Sequence, residues 1–169
     1  MQKTRIIIRR LSDKEIDSLI NEIKLFPHLT YVSRNNFQKA KTIYVLEIDN
    51  KLAGICVVYP ERNWVKLGPL VFLNAYQGRG LATNLISEIL KSNSDKNIIV
   101  VSSNPKVKNI LNKFGIIKAK SFISLEREVK ILLVKQLLEY SGLRIYLEAI
   151  RKRIFMKRGS INFYFKYTN

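Results

Sequence analysis

Gln77-Gly78-Arg79-Gly80-Leu81-Ala82 is the stretch on which the reading of this chain turns. It follows a run of β-formers, Trp64 to Phe72, and opens a helical pattern that continues to about Ser92. Two glycines between a strand and a helix allow positive φ and remove the side chains that would hold an anion off the backbone. The first amides of a helix lack intrahelical acceptors, and the helix dipole adds partial positive charge, so such a loop suits a phosphate. The same residues also suit a plain tight turn from strand to helix, and loop chemistry alone does not separate the two.

The totals narrow the classes. The chain has 169 residues, 47% hydrophobic and 25% charged, as expected of one globular domain over residues 1–169. No apolar run approaches the ~18–20 residues of a membrane-spanning helix, and Ile6-Ile7-Ile8 is too short for the core of a signal peptide. Cys56 is the single cysteine and His28 the single histidine, so neither a disulfide nor a metal site is expected. That usage fits a reducing cytoplasm. The net charge of +17 predicts attraction to phosphates, nucleic acid or acidic surfaces. A codon bias toward Lys, Ile and Asn accounts for much of it, and no basic cluster is interleaved with aromatics as base stacking requires.

Along the chain, Arg5 to Arg10 reads as a strand, and Ser12 with Glu15 forms a capping-box pattern ahead of Ile16, Leu19, Ile20 and Ile23 at helical spacing. His28 to Lys41 reads as a loop with a second short helix. Thr42 to Ile48 and Lys51 to Tyr59 form a hairpin about Asp49-Asn50. Trp64 to Phe72 carries Gly68-Pro69 in its middle; proline cannot donate to a ladder, so a bulge or an early end is expected there. After the glycine loop come a helix marked by Leu85, Ile86 and Ile89, a buried strand at Asn97 to Val101, and a helix from Val107 to Phe114 closed by Gly115. Ile116 to Leu125 suits a returning strand. Glu126 to Arg158 is helical throughout, with Val129, Leu132, Leu133 and Leu137 as one stripe and Leu143, Tyr146, Leu147, Ile150 and Ile154 as another, broken at Ser141-Gly142. Lys157-Arg158 belongs to a basic cluster at its end, and Gly159-Ser160 turns the chain into a last strand with Ile161, Phe163 and Phe165 facing inward.

With the loop in place, this order resembles the GNAT superfamily of acyl-CoA-dependent N-acetyltransferases. The pyrophosphate motif of that family is Arg or Gln, two residues, Gly, one residue, then Gly or Ala, and Gln77, Gly80 and Ala82 match its fixed positions. Asn104 and Phe114-Gly115 match further points, and the resemblance covers about residues 5–125, with 161–167 as the last strand. It implies an α+β fold: a mixed, mostly antiparallel central sheet splayed between its fourth and fifth strands, with residues 126–158 as a helical insertion before the last strand. It implies acetyl-CoA as acyl donor, with Leu70, Val71 and Phe72 along the pantetheine arm and Asn104 nearby. Gln77, Gly78, Arg79, Gly80, Leu81, Ala82 and Thr83 would surround the pyrophosphate.

The implied reaction is direct attack of a primary amine on the thioester, with a backbone N–H of the motif strand holding the oxyanion. Two departures limit it. The tyrosine that protonates the leaving thiolate in many members is here Leu111, which leaves Ser103 and Tyr164 as stand-ins and Glu47 and Glu61 as candidate bases. The insertion replaces a short turn; it suits a substrate-side cover or a homodimer surface, and its charge favours an acidic or nucleic-acid-linked acceptor. A non-catalytic module that binds acyl-CoA, RNA or a protein is the alternative expectation.

Overall fold

Local signals set the first boundaries. Ser12 caps a helix through the amide of Glu15, whose carboxylate returns to the Ser12 amide at 2.8 Å, and Asp49 and Asn50 both take positive φ in the hairpin turn. The computed structural model describes residues 2–29, 31–140, 143–156 and 160–168. Its elements are β1 (Thr4–Ile8), α1 (Asp13–Leu25), α2 (Arg34–Lys39), β2 (Thr42–Ile48), β3 (Lys51–Glu61) and β4 (Trp64–Phe72). After a 3-10 turn (Asn74–Tyr76) come α3 (Leu81–Ser92), β5 (Asn97–Ser102), α4 (Pro105–Asn112), β6 (Ile117–Lys118), α5 (Arg127–Tyr140), α6 (Leu143–Phe155) and β7 (Asn162–Lys166).

The strands form one sheet in the order β1-β2-β3-β4-β5-β7-β6. All neighbours are antiparallel except β4 and β5. One face packs Tyr44, Leu46, Val65, Leu67, Ile98 and Val100 against Leu85, Ile86 and Ile89 of α3 and Leu111 of α4. The opposite face carries two separate clusters. Ile16, Leu19 and Ile23 of α1 cover Ile43, Val45, Ile55, Val57 and Val71; Val129 and Leu132 of α5 cover Trp64 and Ile99.

Gly68-Pro69 makes the sheet irregular. Cys56 pairs with Leu70 and Val58 with Leu67, so β4 carries one residue more than β3 across this step, which is a β-bulge. The bulge reverses the alternation of side chains: Val65 and Leu67 before it, but Leu70 and Phe72 after it, face α3 and α4. The peptide between Gly68 and Pro69 is cis. On the other edge, β4 pairs with β5 only from Trp64↔Asn97 to Leu67↔Val100. Beyond Leu67 the two strands part while β4 stays paired to β3 as far as Phe72. The expected splay between fourth and fifth strands is therefore present, and it begins at the bulge.

Three expectations fail in the C-terminal third. The returning strand shrinks from residues 116–125 to Ile117–Lys118, and Ala119 makes only a single further backbone bond to Phe163. In β7 Phe163 and Phe165 pack inward on the α5 cluster as expected, but Ile161 is 55% exposed outside the strand, and Tyr164 is fully buried on the opposite face because β5 and β6 flank this strand and helices cover both faces. In α6 the stripe of Leu147, Ile150 and Ile154 faces solvent. Among the described side chains of α6 it is Lys152, 1% exposed, that is buried, and it gives its ammonium to the carbonyls of Ile23, Phe26 (2.8 Å) and Leu29 (2.9 Å) at the end of α1. A cation at a helix C-terminus satisfies carbonyls that lack amide partners, so charge contributes to this contact. Ser141-Gly142, Lys157-Arg158 and Gly159 lie outside the described residues, as do the side chains of Leu137, Leu143 and Tyr146.

Candidate active site

The glycine loop leads from the free end of β4 into α3. Gly78 and Gly80 both take left-handed φ, at 75° and 74°, and space for a Cβ is open at each, so backbone conformation and not crowding requires glycine. Among the described residues, the amides of Gly78, Gly80, Leu81 and Ala82 have no backbone acceptor, while Thr83 N–H turns back to the Gly80 carbonyl at 3.0 Å. Gly80 caps α3 without a side chain. A run of exposed, unpaired amides at a helix N-terminus is an anion cradle.

The other predicted residues divide. Gln77 uses its side-chain amide to donate to the Phe72 carbonyl at 2.8 Å, which fixes the loop to the end of β4. The guanidinium of Arg79 stacks over Tyr76, 5.5 Å from the ring centroid. Thr83 stands in the first turn of α3. Asn104 caps α4, accepting from the Lys106 amide at 3.0 Å. Leu70, Val71 and Phe72 form the segment of β4 that has lost β5 as a neighbour. A residue missed in the sequence is Gly54, opposite Phe72: a Cβ there would lie 2.2 Å from the Phe72 ring, so this glycine seats the last residue of the segment.

The proposed proton carriers fare less well. Glu47, 3% exposed, lies on β2, two strands from the split, and accepts from Arg5 (2.6 Å) and Arg9 (2.9 Å). Burial pushes its pKa up, but the two guanidiniums outweigh this and hold it below the usual carboxylate value. A carboxylate so engaged is a poor base. Glu61 pairs with Lys135 at 3.5 Å across a cavity of about 200 Å³ next to Trp64, away from the open end of the split. Leu111 is fully buried among the α3 and α4 side chains. Tyr164 shares that cluster, and burial raises its phenol pKa. Ser103 donates to the His28 carbonyl at 3.1 Å, linking the end of β5 to the loop after α1. Cys56 is buried, its thiol pushed up to about 12 by desolvation, and so is inert.

Lys66 is the titratable group that sequence reasoning passed over. It pairs with Tyr59 on one side and Ile99 on the other, immediately before the split, and its ammonium lies 5.0 Å from the centroid of the Tyr59 ring. Burial pushes its pKa down to about 8. A lone lysine in a strand carries no spacing signal, so only the structure reveals it.

A split strand pair leading to an anion cradle is the geometry to set beside known proteins. The model of the acetyltransferase (GNAT) domain matches residues 12–124. The chain belongs to the GNAT acetyltransferase family. Among solved GNAT-fold structures, it is similar to N-acetylglutamate synthase from Neisseria gonorrhoeae, complexed with coenzyme A and N-acetyl-glutamate, at 16% identity and a TM-score of 0.65. That match covers 98% of this chain but 35% of the synthase, so the chain spans about a third of that protein. A Mycobacterium tuberculosis protein in complex with CoA and NLQ matches at 10% identity and TM-score 0.64, over 94% of this chain and 97% of that one. The ribosomal-protein-S18-alanine N-acetyltransferase from Escherichia coli matches at 13% identity and TM-score 0.56, over 69% and 80%. These likenesses are likenesses of fold. No curated protein matches the chain. As in other GNAT domains, the sheet is mostly antiparallel with a single parallel pair, β4 and β5.

Proposed function

We propose that this GNAT protein transfers an acetyl group from acetyl-CoA to a primary amine by direct attack on the thioester. One observation carries the reading: β4 loses its β5 partner at Leu67, stays unpaired on that edge, and leads through a short turn to the glycine loop at the head of α3. Backbone groups of residues 68–72 facing the gap need hydrogen-bond partners, and an extended amide-bearing arm supplies them as a strand would. Gly78 to Ala82, with Thr83, would hold the pyrophosphate at one end, placing the thioester toward the bulge at the other. A β4 amide beside the bulge would then meet the oxyanion. That two solved structures of this fold were obtained with CoA supports the donor, and the N-acetyl-glutamate bound in one of them supports an amine acceptor.

With Leu111 buried in the core, the leaving thiolate takes its proton from solvent, which its modest basicity permits. The same leucine favours a second reading, a module that binds acyl-CoA, RNA or protein without turnover. Calorimetry with acetyl-CoA, followed by thiol release over a panel of primary amines, separates the two. Binding with amine-dependent thiol release is the expected result. Binding with no release from any amine leaves the module, and no binding at millimolar acetyl-CoA removes both the donor and the reaction.

A further inference from the structure

Among the described residues, the fully buried charges, Glu47 and Lys152, both have partners. Glu47 faces two arginines, and Arg9 reaches both Glu47 and Glu15. Lys152 is buried against three carbonyls. Lys66 has the ring of Tyr59 and, among the described residues, no carboxylate within ion-pair distance. A half-buried ammonium without a counter-charge is unfavourable, and its lowered pKa expresses that cost.

Its place is specific. Lys66 shares a face with Trp64, toward α1 and α5, because the alternation before the bulge sends Val65 and Leu67 to the other face. Its register partners belong to two different clusters of that face: Tyr59 packs on the α1 cluster, and Ile99 lies in the α5 cluster. The ammonium therefore sits at the seam between the two apolar clusters, at the closed end of the split.

We infer that Lys66 is the counter-charge for a carboxylate on the acceptor, so that the acceptor is a small amine bearing a carboxylate, as an amino acid does. The inference rests on the acyl-CoA reading of the split. Distance excludes the donor's own phosphates: six residues of strand separate Lys66 from Phe72, roughly 20 Å at ~3.3 Å per residue, and the glycine loop lies beyond. The thioester end of the donor is neutral. The anion that completes this site has to arrive with the other substrate. Glu61 is no substitute, since it is held by Lys135 at the β3–β4 hairpin. The Tyr59 ring covers one side of the cation and so limits where a carboxylate can approach, which would fix the amine relative to the thioester.

The experiment uses matched pairs: alanine and alaninamide, β-alanine and β-alaninamide, glutamate and its diamide, with O-phosphoethanolamine as a phosphate-bearing arm. Thiol release from acetyl-CoA is measured for the wild type, Lys66→Met and Lys66→Arg. The expected result is that each acid is used about tenfold better than its amide, with the difference in KM. Lys66→Met abolishes the difference between acid and amide, and Lys66→Arg keeps part of it. Equal use of acids and amides overturns the inference. So does a Lys66→Met effect confined to kcat, which marks a proton-transfer residue, or a preference for the phosphate-bearing amine. Where no amine is turned over, calorimetry of the CoA-loaded protein decides: heat from the acids but not the amides, lost in Lys66→Met, supports it. CoA binding without any acid binding overturns it alone, whereas failure of the wild type to bind acetyl-CoA overturns the donor reading beneath it.

Discussion

The β1 edge of the sheet and the β4–β5 junction at its centre are built on opposite rules. At the β1–β2 edge, the ladder runs unbroken from Thr4↔Ile48 to Ile8↔Tyr44, and Glu47, the one buried carboxylate among the described residues, is answered by two guanidiniums. At the β4–β5 junction, pairing stops at Leu67↔Val100, and among the described residues the amides of Gly78 and Gly80 have no backbone acceptor and Lys66 lacks a carboxylate. The β1 edge satisfies its polar groups from within. The junction leaves backbone and side-chain groups for a ligand to satisfy. What separates structure from site in this fold is whether polar groups are closed internally.

The comparison breaks most visibly where a closed group is opened. Glu47→Gln leaves Arg5 and Arg9 facing a neutral, buried amide, and should lower unfolding stability by about 3 kcal/mol in urea titration. Acetyl-CoA affinity should not move; a parallel loss would show that the two regions are not independent. Gly80→Asp acts on the open end. It sets a negative charge in the cradle and should weaken acetyl-CoA about 100-fold by calorimetry, equivalent to ~2.7 kcal/mol. The left-handed φ of 74° adds a folding cost of about 1 kcal/mol. Retained affinity would remove the loop from the site.

Acid sharpens the same contrast. The hydrogen bonds from Arg9 hold Glu15 down at about 2, against burial, while its unfolded value is near 4.5. A lowered carboxylate pKa stabilises the fold above the unfolded value, and that stabilisation is lost as pH falls from about 4.5 toward 2. With partial solvent contact the loss should be about 1–2 kcal/mol. Arg9→Met should flatten the limb, and an unchanged acid limb in this variant would assign it to other carboxylates.

Legibility in the sequence follows how local each determinant is. The capping box at Ser12 and Glu15, the Asp49-Asn50 turn and the Gly78 and Gly80 loop are readable because their chemistry lies within a few residues. Gly68-Pro69 signals the split because proline forbids ladder donation wherever it sits. The insertion is misread for the opposite reason. Apolar periodicity places Leu147, Ile150 and Ile154 inward, but Lys152 docks α6 on carbonyls of residues 23, 26 and 29, more than a hundred positions away. Tyr164 is buried by strands on both sides, which no pattern internal to β7 reports. Glu47 and Lys66 look alike as lone charges in strands. Only their partners distinguish a fixed ion pair from an open one, and partners are a property of register.

Lys66 therefore offers the smallest and most direct measurement of the difference. Its folded pKa of about 8 lies below the usual lysine value, so the unfolded chain binds the proton more tightly between pH 8 and about 10.5. Stability should rise with pH across that window and be penalised throughout below it. Lys66→Met removes the penalty, and because the side chain is half-buried the gain at neutral pH should be about 1 kcal/mol, with no alkaline rise. A residue whose removal stabilises the fold is retained for what it binds. A carboxylate-bearing amine should supply the missing charge and raise the melting temperature of the CoA-loaded wild type, while leaving Lys66→Met unmoved. A Lys66→Met variant that is less stable than the wild type would make this lysine a structural group, closed like Glu47, and would erase the distinction between the edge and the centre of the sheet.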